Sequence, residues 1–149
     1  MIRSLAVLML SAAPAIAAIC PEAGAGGTEI SLSSRQLAAP HGVQVIAGGP
    51  VELAACGAVA GTGRVARMPD VTLHIAADAA PAALTLRTRA RCDTVLLVGH
   101  ASGWAFDDDG GGGENALLRL EAAGGRIDVW VGSFGGGSCK ARLYLSAAD

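Results

Sequence analysis

Along most of the chain, apolar and polar residues alternate with period two, which is the pattern of half-buried β-strands. The clearest alternation lies in residues 84–91, where two leucines predict an inward face and Arg87, Arg89 and Arg91 an outward face. The arginine row is compatible with an anion-binding stripe. Charged residues are nevertheless common on solvated strand faces, where they discourage edge pairing, so a simple solvated face is the favoured interpretation.

Shorter apolar runs, separated by acidic or glycine-rich turns, predict further strands. They are residues 28–33, 42–47, 51–53, 71–75, 94–98, 104–106, 116–120, 126–131 and 141–146, while residues 76–83 predict a loop. A helical period is not sustained beyond a turn or two. Eight to ten short strands with frequent turns predict an all-β fold, a two-sheet antiparallel β-sandwich.

Some strand pairings can be predicted from the spacing. Residues 94–98 are continuously apolar, which predicts a central strand covered on both faces. Residues 99–103 predict the hairpin loop that follows this strand. The strands at 116–120 and 126–131 are expected to pair through the turn at 122–125.

The first residues have the features of a secretory signal, a basic residue, an apolar run and small residues that match an A-x-A cleavage site. The run is shorter than the roughly 20 residues of a membrane span. The bulky Ile19 before Cys20 argues against lipid attachment. We therefore expect a signal peptide at 1–18, a linker at 19–27 and a β-sandwich domain at 28–149. The protein is expected to be secreted or periplasmic.

The charge balance limits the class of partner. Removing the leader takes away one arginine and leaves 10 basic and 13 acidic residues, a formal charge of −3 with neutral histidines. An acidic chain of this kind is not expected to bind nucleic acid. On the order of 130 residues fit one domain with one core. No second apolar span follows the leader, so we expect no membrane span in the mature chain.

Four cysteines follow the leader, Cys20, Cys56, Cys92 and Cys139, at spacings of 36, 36 and 47 residues. Zinc sites need close pairs such as C-x-x-C, whereas an even count in an exported chain favours disulfides. Three pairings are possible, and the sequence alone does not resolve them. The predicted strand order would bring Cys92 to Cys139 and leave Cys20 to tie the N-terminus to Cys56.

The acidic loop, residues 107–115, is the candidate ion site. Its five oxygen-bearing side chains are Asp107, Asp108, Asp109, Glu114 and Asn115. Calcium takes six to eight oxygen ligands in a tolerant geometry, and a cation would offset repulsion among the three adjacent aspartates. The spacing is not that of an EF-hand, and the alternative is a soluble turn that keeps strand edges from aggregating. Calcium is the one cofactor we expect.

Trp104 and Trp130 are candidate contact residues, because exposed aromatic side chains are frequent in interfaces. A platform for sugar or protein requires Trp130 to point outward with Asp128, and burial in the core is the favoured alternative. His100 and Ser102 share a loop but lack the G-x-S-x-G elbow of a nucleophilic serine. No nucleophile, base and orienting group are recognisable together, so we expect no catalytic residues and no enzyme activity.

Several segments resemble the bacterial pre-peptidase C-terminal domain family. They are C-D-T-V-L-L-V-G-H-A-S-G-W-A-F-D-D-D, G-R-I-D-V-W-V-G-S-F and A-R-L-Y-L, with A-G-G-P-V-E-L-A-A-C-G and M-P-D-V-T-L-H-I upstream. The resemblance spans about residues 43–146. It implies a jelly-roll-like sandwich, export and a non-catalytic accessory role, in a family whose collagenase relatives bind calcium. This chain is expected to depart from the usual arrangement, in which the domain is attached to a peptidase, and this argues against the role of accessory to a linked enzyme.

The sequence therefore predicts a non-catalytic exported binding or accessory module, stabilised by calcium and of the kind associated with secreted peptidases. The expected partner is an unknown protein or polysaccharide at the cell surface. Two alternatives remain, a secreted peptidase-related hydrolase and a structural cell-envelope protein. An enzyme would need a converging catalytic set, and a structural protein would bind no ligand.

Overall fold

A computed structural model describes residues 19–59, 61–76, 81, 83–121 and 124–148. The predicted signal peptide and most of the predicted 76–83 loop lie outside these residues. In the part described, no helix is long and apolar enough to cross a membrane.

The described chain is built almost entirely of β-strands. In chain order the elements are β1 (Thr28–Leu32), α1 (Ser34–Leu37), β2 (His41–Ala47), β3 (Val51–Glu52), a 3-10 helix (Leu53–Ala55), β4 (Arg64–Val65), β5 (Val71–Ile75), β6 (Ala83–Ala90), β7 (Thr94–His100), β8 (Gly103–Asp107), β9 (Leu117–Glu121), β10 (Gly125–Ser133) and β11 (Cys139–Ala148). The eleven strands within the described ranges exceed the expected eight to ten because the two-residue strand β4 was not predicted. The predicted all-β class is confirmed.

The strands form two sheets that pack as an open sandwich. The seven-stranded sheet has the order β1-β5-β10-β4-β3, with β7 paired to β10 and β8 paired to β7. The four-stranded sheet has the order β2-β11-β6-β9. Pairing is antiparallel between all described strands except β1 and β5, which are parallel. The antiparallel prediction therefore holds except at this one pair.

The predicted hairpin between β9 and β10 is wrong. β9 pairs with β6 in the four-stranded sheet, whereas β10 pairs with β5 and β7 in the seven-stranded sheet. Two other strands already pair with β10, since β5 aligns with residues 125–129 and β7 with residues 128–133. β9 therefore crosses to the opposite sheet, where its leucines Leu118 and Leu120 pack on the core between the sheets.

The prediction of a central strand is confirmed in β7, in which Thr94 to Gly99 are all buried. Its alternate residues point to two different cores. Leu96 and Val98 belong to the main core between the two sheets. Val95 and Leu97 belong to a second cluster on the opposite side of the seven-stranded sheet. This second cluster, the outer core, consists of Val51, Leu53, Cys56, Val59, Val65, Val95, Leu97 and Trp130.

The N-terminal segment, residues 19–27, lies along the outer side of the seven-stranded sheet. A Cys20–Cys56 disulfide joins it to the outer core, with a Cα–Cα distance of 5.7 Å. The Gly24 N–H donates to Asp128 Oδ2 at 2.8 Å, and Arg126 Nη2 donates to the Ala25 carbonyl at 3.1 Å. The segment predicted as a linker is thus fixed to the domain by one covalent bond and several hydrogen bonds.

The second disulfide links Cys92 and Cys139, whose Cα atoms are 6.4 Å apart. It connects the turn between β6 and β7 to the start of β11. Both preferred pairings are confirmed.

Candidate binding face

The outer face of the four-stranded sheet carries a group of exposed cationic side chains. Along β6 and β11, alternate residues such as Leu86 and Leu143 point into the main core. The residues between them point to solvent, and β9 contributes in the same way. The exposed cations are Arg87, Arg89, Arg119, Lys140 and Arg142, which together form the basic face.

Two arginines of the basic face lie directly opposite each other on neighbouring strands. Arg142 of β11 aligns with Arg89 of β6, and Tyr144 aligns with Arg87. Neighbouring strands are about 4.8 Å apart. Like charges at opposed positions destabilise a sheet, so the Arg89–Arg142 pair carries an electrostatic cost that an anion would offset.

Few carboxylates neutralise this charge. Arg119 Nε contacts Glu121 Oε1 at 3.0 Å. Arg89, Lys140 and Arg142 make no ion pair with any described carboxylate. On and beside the other sheet the arginines differ, because Arg64 and Arg67 each pair with a glutamate, at 3.2 Å and 3.0 Å, and Arg126 pairs with Asp128 at 3.0 Å. Uncompensated positive charge therefore concentrates on the basic face.

A shallow cleft of about 390 Å³ opens on the basic face. Its lining combines two arginines, a tyrosine ring and two hydroxyls, namely Pro40, Thr85, Arg87, Arg89, Leu117, Tyr144 and Ser146. Arg87 Nη2 donates to the Gly111 carbonyl at 2.8 Å, which fixes its guanidinium and leaves other N–H groups for a ligand. A side chain at Gly42 would lie 3.2 Å from the Tyr144 ring, so this glycine leaves the space that the ring occupies.

The acidic loop uses part of its oxygen set for its own backbone. Asp107 Oδ2 accepts the N–H groups of Gly110 and Leu117, both at 2.8 Å. Asn115 Oδ1 accepts the Ala90 N–H at 2.9 Å. These two predicted ligands therefore hold the loop against its neighbouring strands.

The other predicted ligands lie near a residue that the sequence did not single out. Asp108 is half-buried, and Asp109 and Glu114 are exposed. The pKa of Asp93 is raised by burial first, and then by the negative charges of Asp109, Glu114 and Asp108. Asp93 Oδ1 is shielded from solvent without a hydrogen-bond partner in the described chain, although the residue as a whole is half-buried. The loop therefore concentrates negative charge around one unsatisfied oxygen.

A ready metal centre is not formed by these side chains. Among the described residues, no three His, Cys, Asp or Glu side chains are grouped so that they could hold a metal ion. Calcium at this loop stays a prediction.

The two tryptophans occupy different environments. Trp130 is fully buried in the outer core, and its Nε1 donates to the Arg67 carbonyl at 3.4 Å. Trp130 does point outward with Asp128, but the segments joined by the Cys20–Cys56 disulfide cover that side of the sheet. Trp130 therefore forms no exposed platform, and the favoured interpretation, burial in the core, is confirmed.

Trp104 lies at the edge of the outer core and is only half-buried. Its ring is 5.4 Å from that of Trp130, tilted by 49°. It lines a smaller cavity of about 240 Å³ together with His100 and Asp128. Trp104 therefore remains a candidate contact residue.

Asp128 is the best-satisfied charge among the described residues on the seven-stranded sheet. It is 3% exposed and accepts from Thr72 Oγ1 at 2.8 Å, besides Gly24 and Arg126. Burial acts to raise its pKa, but the donors from Gly24, Arg126 and Thr72 outweigh burial and hold the pKa below its usual range. These contacts fasten the N-terminal segment, so the carboxylate has a structural role.

Asp70 directly precedes β5 and lines a cavity of about 330 Å³ together with Thr28 of β1 and Lys140 of β11. Burial raises its pKa from 3.8 to about 6, an effect that the hydrogen bond from the Val131 N–H partly opposes. The carboxylate Oδ2 accepts that N–H at 2.8 Å.

Alternation in the sequence indicated which residues of the basic face point to solvent. It did not show that the rows on β6 and β11 lie side by side. The row of Arg87 and Arg89 was visible in the alternation of one strand. The same alternation in the last strand places Arg142 and Tyr144 on the solvent side. Only the antiparallel pairing of β6 with β11 brings the two rows together.

Comparison with known proteins gives a likeness in fold alone. No family model matches the sequence, and no curated protein matches it. The structure is similar to the pre-peptidase C-terminal domain of a collagenase from Bacillus anthracis, with a TM-score of 0.51 and 11% sequence identity. The match covers 84% of this chain and 99% of that chain. The sandwich implied by the sequence resemblance is therefore supported at the level of architecture.

Proposed function

We propose that this protein is a non-catalytic exported module that binds an anionic ligand through its basic face. The observation that carries the proposal is the juxtaposition of Arg89 and Arg142 on neighbouring strands, beside Arg87, with no described carboxylate to pair with Arg89 or Arg142. Charge-assisted hydrogen bonds from arginine to carboxylate, sulfate or phosphate groups are among the stronger polar contacts.

Export is supported by the leader-like N-terminus and by two disulfides, since disulfides form and persist in oxidising compartments. A secreted or periplasmic destination follows from this proposal. The accessory role is supported by the likeness in fold to a pre-peptidase C-terminal domain of a collagenase. A hydrolase would need a nucleophile with a base, and the buried Ser133 at the end of β10 instead donates to the Gly137 carbonyl at 2.8 Å.

The test is retention of the mature, oxidised protein on a sulfated dextran matrix, eluted with a salt gradient. We expect wild type to be retained and the double variant Arg89→Gln, Arg142→Gln to elute at clearly lower salt, because exposed charge interactions are screened by ions. The matched control is Arg64→Gln, Arg67→Gln, which changes the net charge equally on the other sheet. Its surface ion pairs contribute little to stability. Equal elution of both double variants would contradict the proposal.

A second proposal concerns the acidic loop, to which we assign calcium. The supporting observation is the shielded, unpaired Asp93 Oδ1 amid the charges of Asp108, Asp109 and Glu114. Carboxylate oxygens are the ligands that calcium prefers. Asp107 and Asn115, whose side-chain oxygens accept backbone N–H groups, would support the loop.

Thermal unfolding in EDTA and then in millimolar calcium tests this assignment, because a ligand of the native state raises stability by mass action. We expect calcium to raise the melting temperature of wild type, and Asp93→Asn or Asp109→Ala to abolish the rise. Glu29→Gln, on β1, is the control that should keep it. An unchanged melting temperature in wild type would make the loop a solubilising turn.

A further inference from the structure

We infer that the ligand of the basic face is an acidic polysaccharide, and that the cleft beside Tyr144 receives one of its carboxylate-bearing sugar units. This inference rests on the proposed function and names its ligand class.

The composition of the cleft matches a carboxylate-bearing sugar. Arg87 and Arg89 provide guanidinium donors for a carboxylate, and Tyr144 lies on the neighbouring strand opposite Arg87. A tyrosine offers an apolar ring with a polar tip. The ring would pack against the carbon-bound hydrogens of a sugar while the arginines hold its charge.

Two hydroxyl side chains line the cleft together with the ring. Ser146 aligns with Thr85 across β11 and β6, and both line the cleft. Each hydroxyl can donate one hydrogen bond and accept others, which matches the hydroxyl groups of a sugar. A simple anion would use the arginines alone and leave these groups to water.

The positive charge is not confined to the cleft. It continues beyond the cleft to Arg142 and Lys140 along β11, with side chains at every second residue. Successive outward residues on a strand are about 6.7 Å apart. An extended polymer with regularly repeated negative charge would meet several of these cations at once.

Two other polyanions fit the face less well. An acidic peptide recognised by a sheet commonly adds as a strand to an unpaired edge, whereas these cations project from the face of paired strands. An anionic membrane favours surfaces with inserted apolar side chains. Among the exposed large apolar residues of the described chain, Ile46 is the one that belongs to the four-stranded sheet.

The experiment compares polygalacturonate with poly-L-glutamate of matched charge, neutral dextran and vesicles containing phosphatidylglycerol, by calorimetric titration at fixed salt. We expect wild type to bind polygalacturonate at least about threefold more tightly than polyglutamate, as one aromatic contact of this kind implies. Dextran and vesicles should not bind.

Variants distinguish the contribution of the Tyr144 ring to binding from that of the arginine charges. Tyr144→Ala should weaken polygalacturonate binding roughly three- to tenfold and leave polyglutamate unchanged, while Tyr144→Phe keeps the ring and most of the affinity. Arg89→Gln with Arg142→Gln should weaken both polymers about tenfold or more. Circular dichroism checks that each variant is folded.

The outcomes distinguish a failure of the polysaccharide inference from a failure of the proposed function. Equal binding of both polymers, or an equal loss for both in Tyr144→Ala, would overturn the polysaccharide inference and leave anion binding in place. Binding of the vesicles in preference to the polysaccharide would overturn it as well. Binding of no anionic probe would overturn the inference and the proposed function together.

Discussion

The outer faces of the two sheets differ in exposure, because one is covered by other segments of the chain and the other is open to solvent. On the seven-stranded sheet, the N-terminal segment and the residues around the Cys20–Cys56 disulfide cover the face, and Trp130 is fully buried there. On the four-stranded sheet, the corresponding face is open, and Arg89 and Arg142 are exposed. The difference lies in the covering segments, because strands of both sheets alternate in the same way.

The charged side chains of the two faces also differ in how many hydrogen-bond and ion-pair partners they have. The carboxylate of Asp128 on the covered face receives donors from a backbone N–H, an arginine and a threonine. The arginines of the open face have no comparable partners in the described chain, apart from the Arg87 bond to a carbonyl and the Arg119 pair. A covered face must satisfy its polar groups internally, whereas an open face leaves them for solvent or a ligand.

The largest effect should come from removing an aromatic side chain from each face. Trp130→Ala is expected to lower the free energy of unfolding by about 3–5 kcal/mol, the usual cost of deleting a large buried aromatic. Tyr144→Ala, on the open face, should cost much less. Urea denaturation at neutral pH measures both, and similar losses would show that the two faces do not differ as described.

Next in size is the disulfide that closes the covered face. Replacing Cys20 and Cys56 by serine should lower the stability by about 3–4 kcal/mol in the chain-entropy model. The near-ultraviolet dichroism of the tryptophan pair should weaken, because Cys20 and Cys56 pack in the outer core. Replacing Cys92 and Cys139 is the control, which should lower stability but preserve that signal. A loss of the near-ultraviolet signal in the Cys92 and Cys139 variant alone would contradict the role of the Cys20–Cys56 disulfide in covering the outer core.

A smaller effect is expected at Asp128. Its pKa is held below the usual range, so its stabilising contribution is present above the unfolded value of 3.8 and is lost as pH falls through the folded value. Asp128→Asn should cost about 1–3 kcal/mol at pH 7 and reduce the loss of stability in acid. Urea midpoints from pH 2 to 7 test this, and an unchanged acid limb in the variant would contradict it.

A further effect, at Asp70, has the opposite sign. Burial raises its pKa from 3.8 to about 6, so the folded state favours the protonated form. Ionisation of Asp70 therefore reduces stability as pH rises from about 4 to about 6. Asp70→Asn keeps an acceptor for the Val131 N–H and should flatten this part of the profile. Urea midpoints across the same pH interval measure this dependence. The same slope of stability against pH in Asp70→Asn as in wild type would exclude Asp70 as the cause of the dependence.

Local pattern was sufficient to predict the architecture, because alternation within a strand determines which side chains share a face. It identified β7 as a central strand and favoured both disulfide pairings. Local pattern failed where contacts between distant segments determine strand pairing or burial. The pairing of β9 with β6 depends on β10 being occupied by β5 and β7. The burial of Trp130 depends on the N-terminal segment, which alternation within β10 does not report.

The candidate site was only partly visible for the same reason. Arg87 and Arg89 stood out as a row, but their neighbours Arg142 and Tyr144 come from a strand more than 50 residues later in the sequence. The acidic loop was visible as a cluster. The structural use of Asp107 and Asn115, and the place of Asp93 beside the loop, follow from tertiary contacts.

The most direct test of the account is an amide chemical-shift map of the mature protein titrated with a short dextran sulfate oligosaccharide. Anion binding by the basic face predicts shifts concentrated at residues 85–89 of β6 and 140–146 of β11, with residues 128–130 of β10 unaffected. Shifts concentrated at Trp104 and the N-terminal segment, or scattered without reference to the four-stranded sheet, would contradict it.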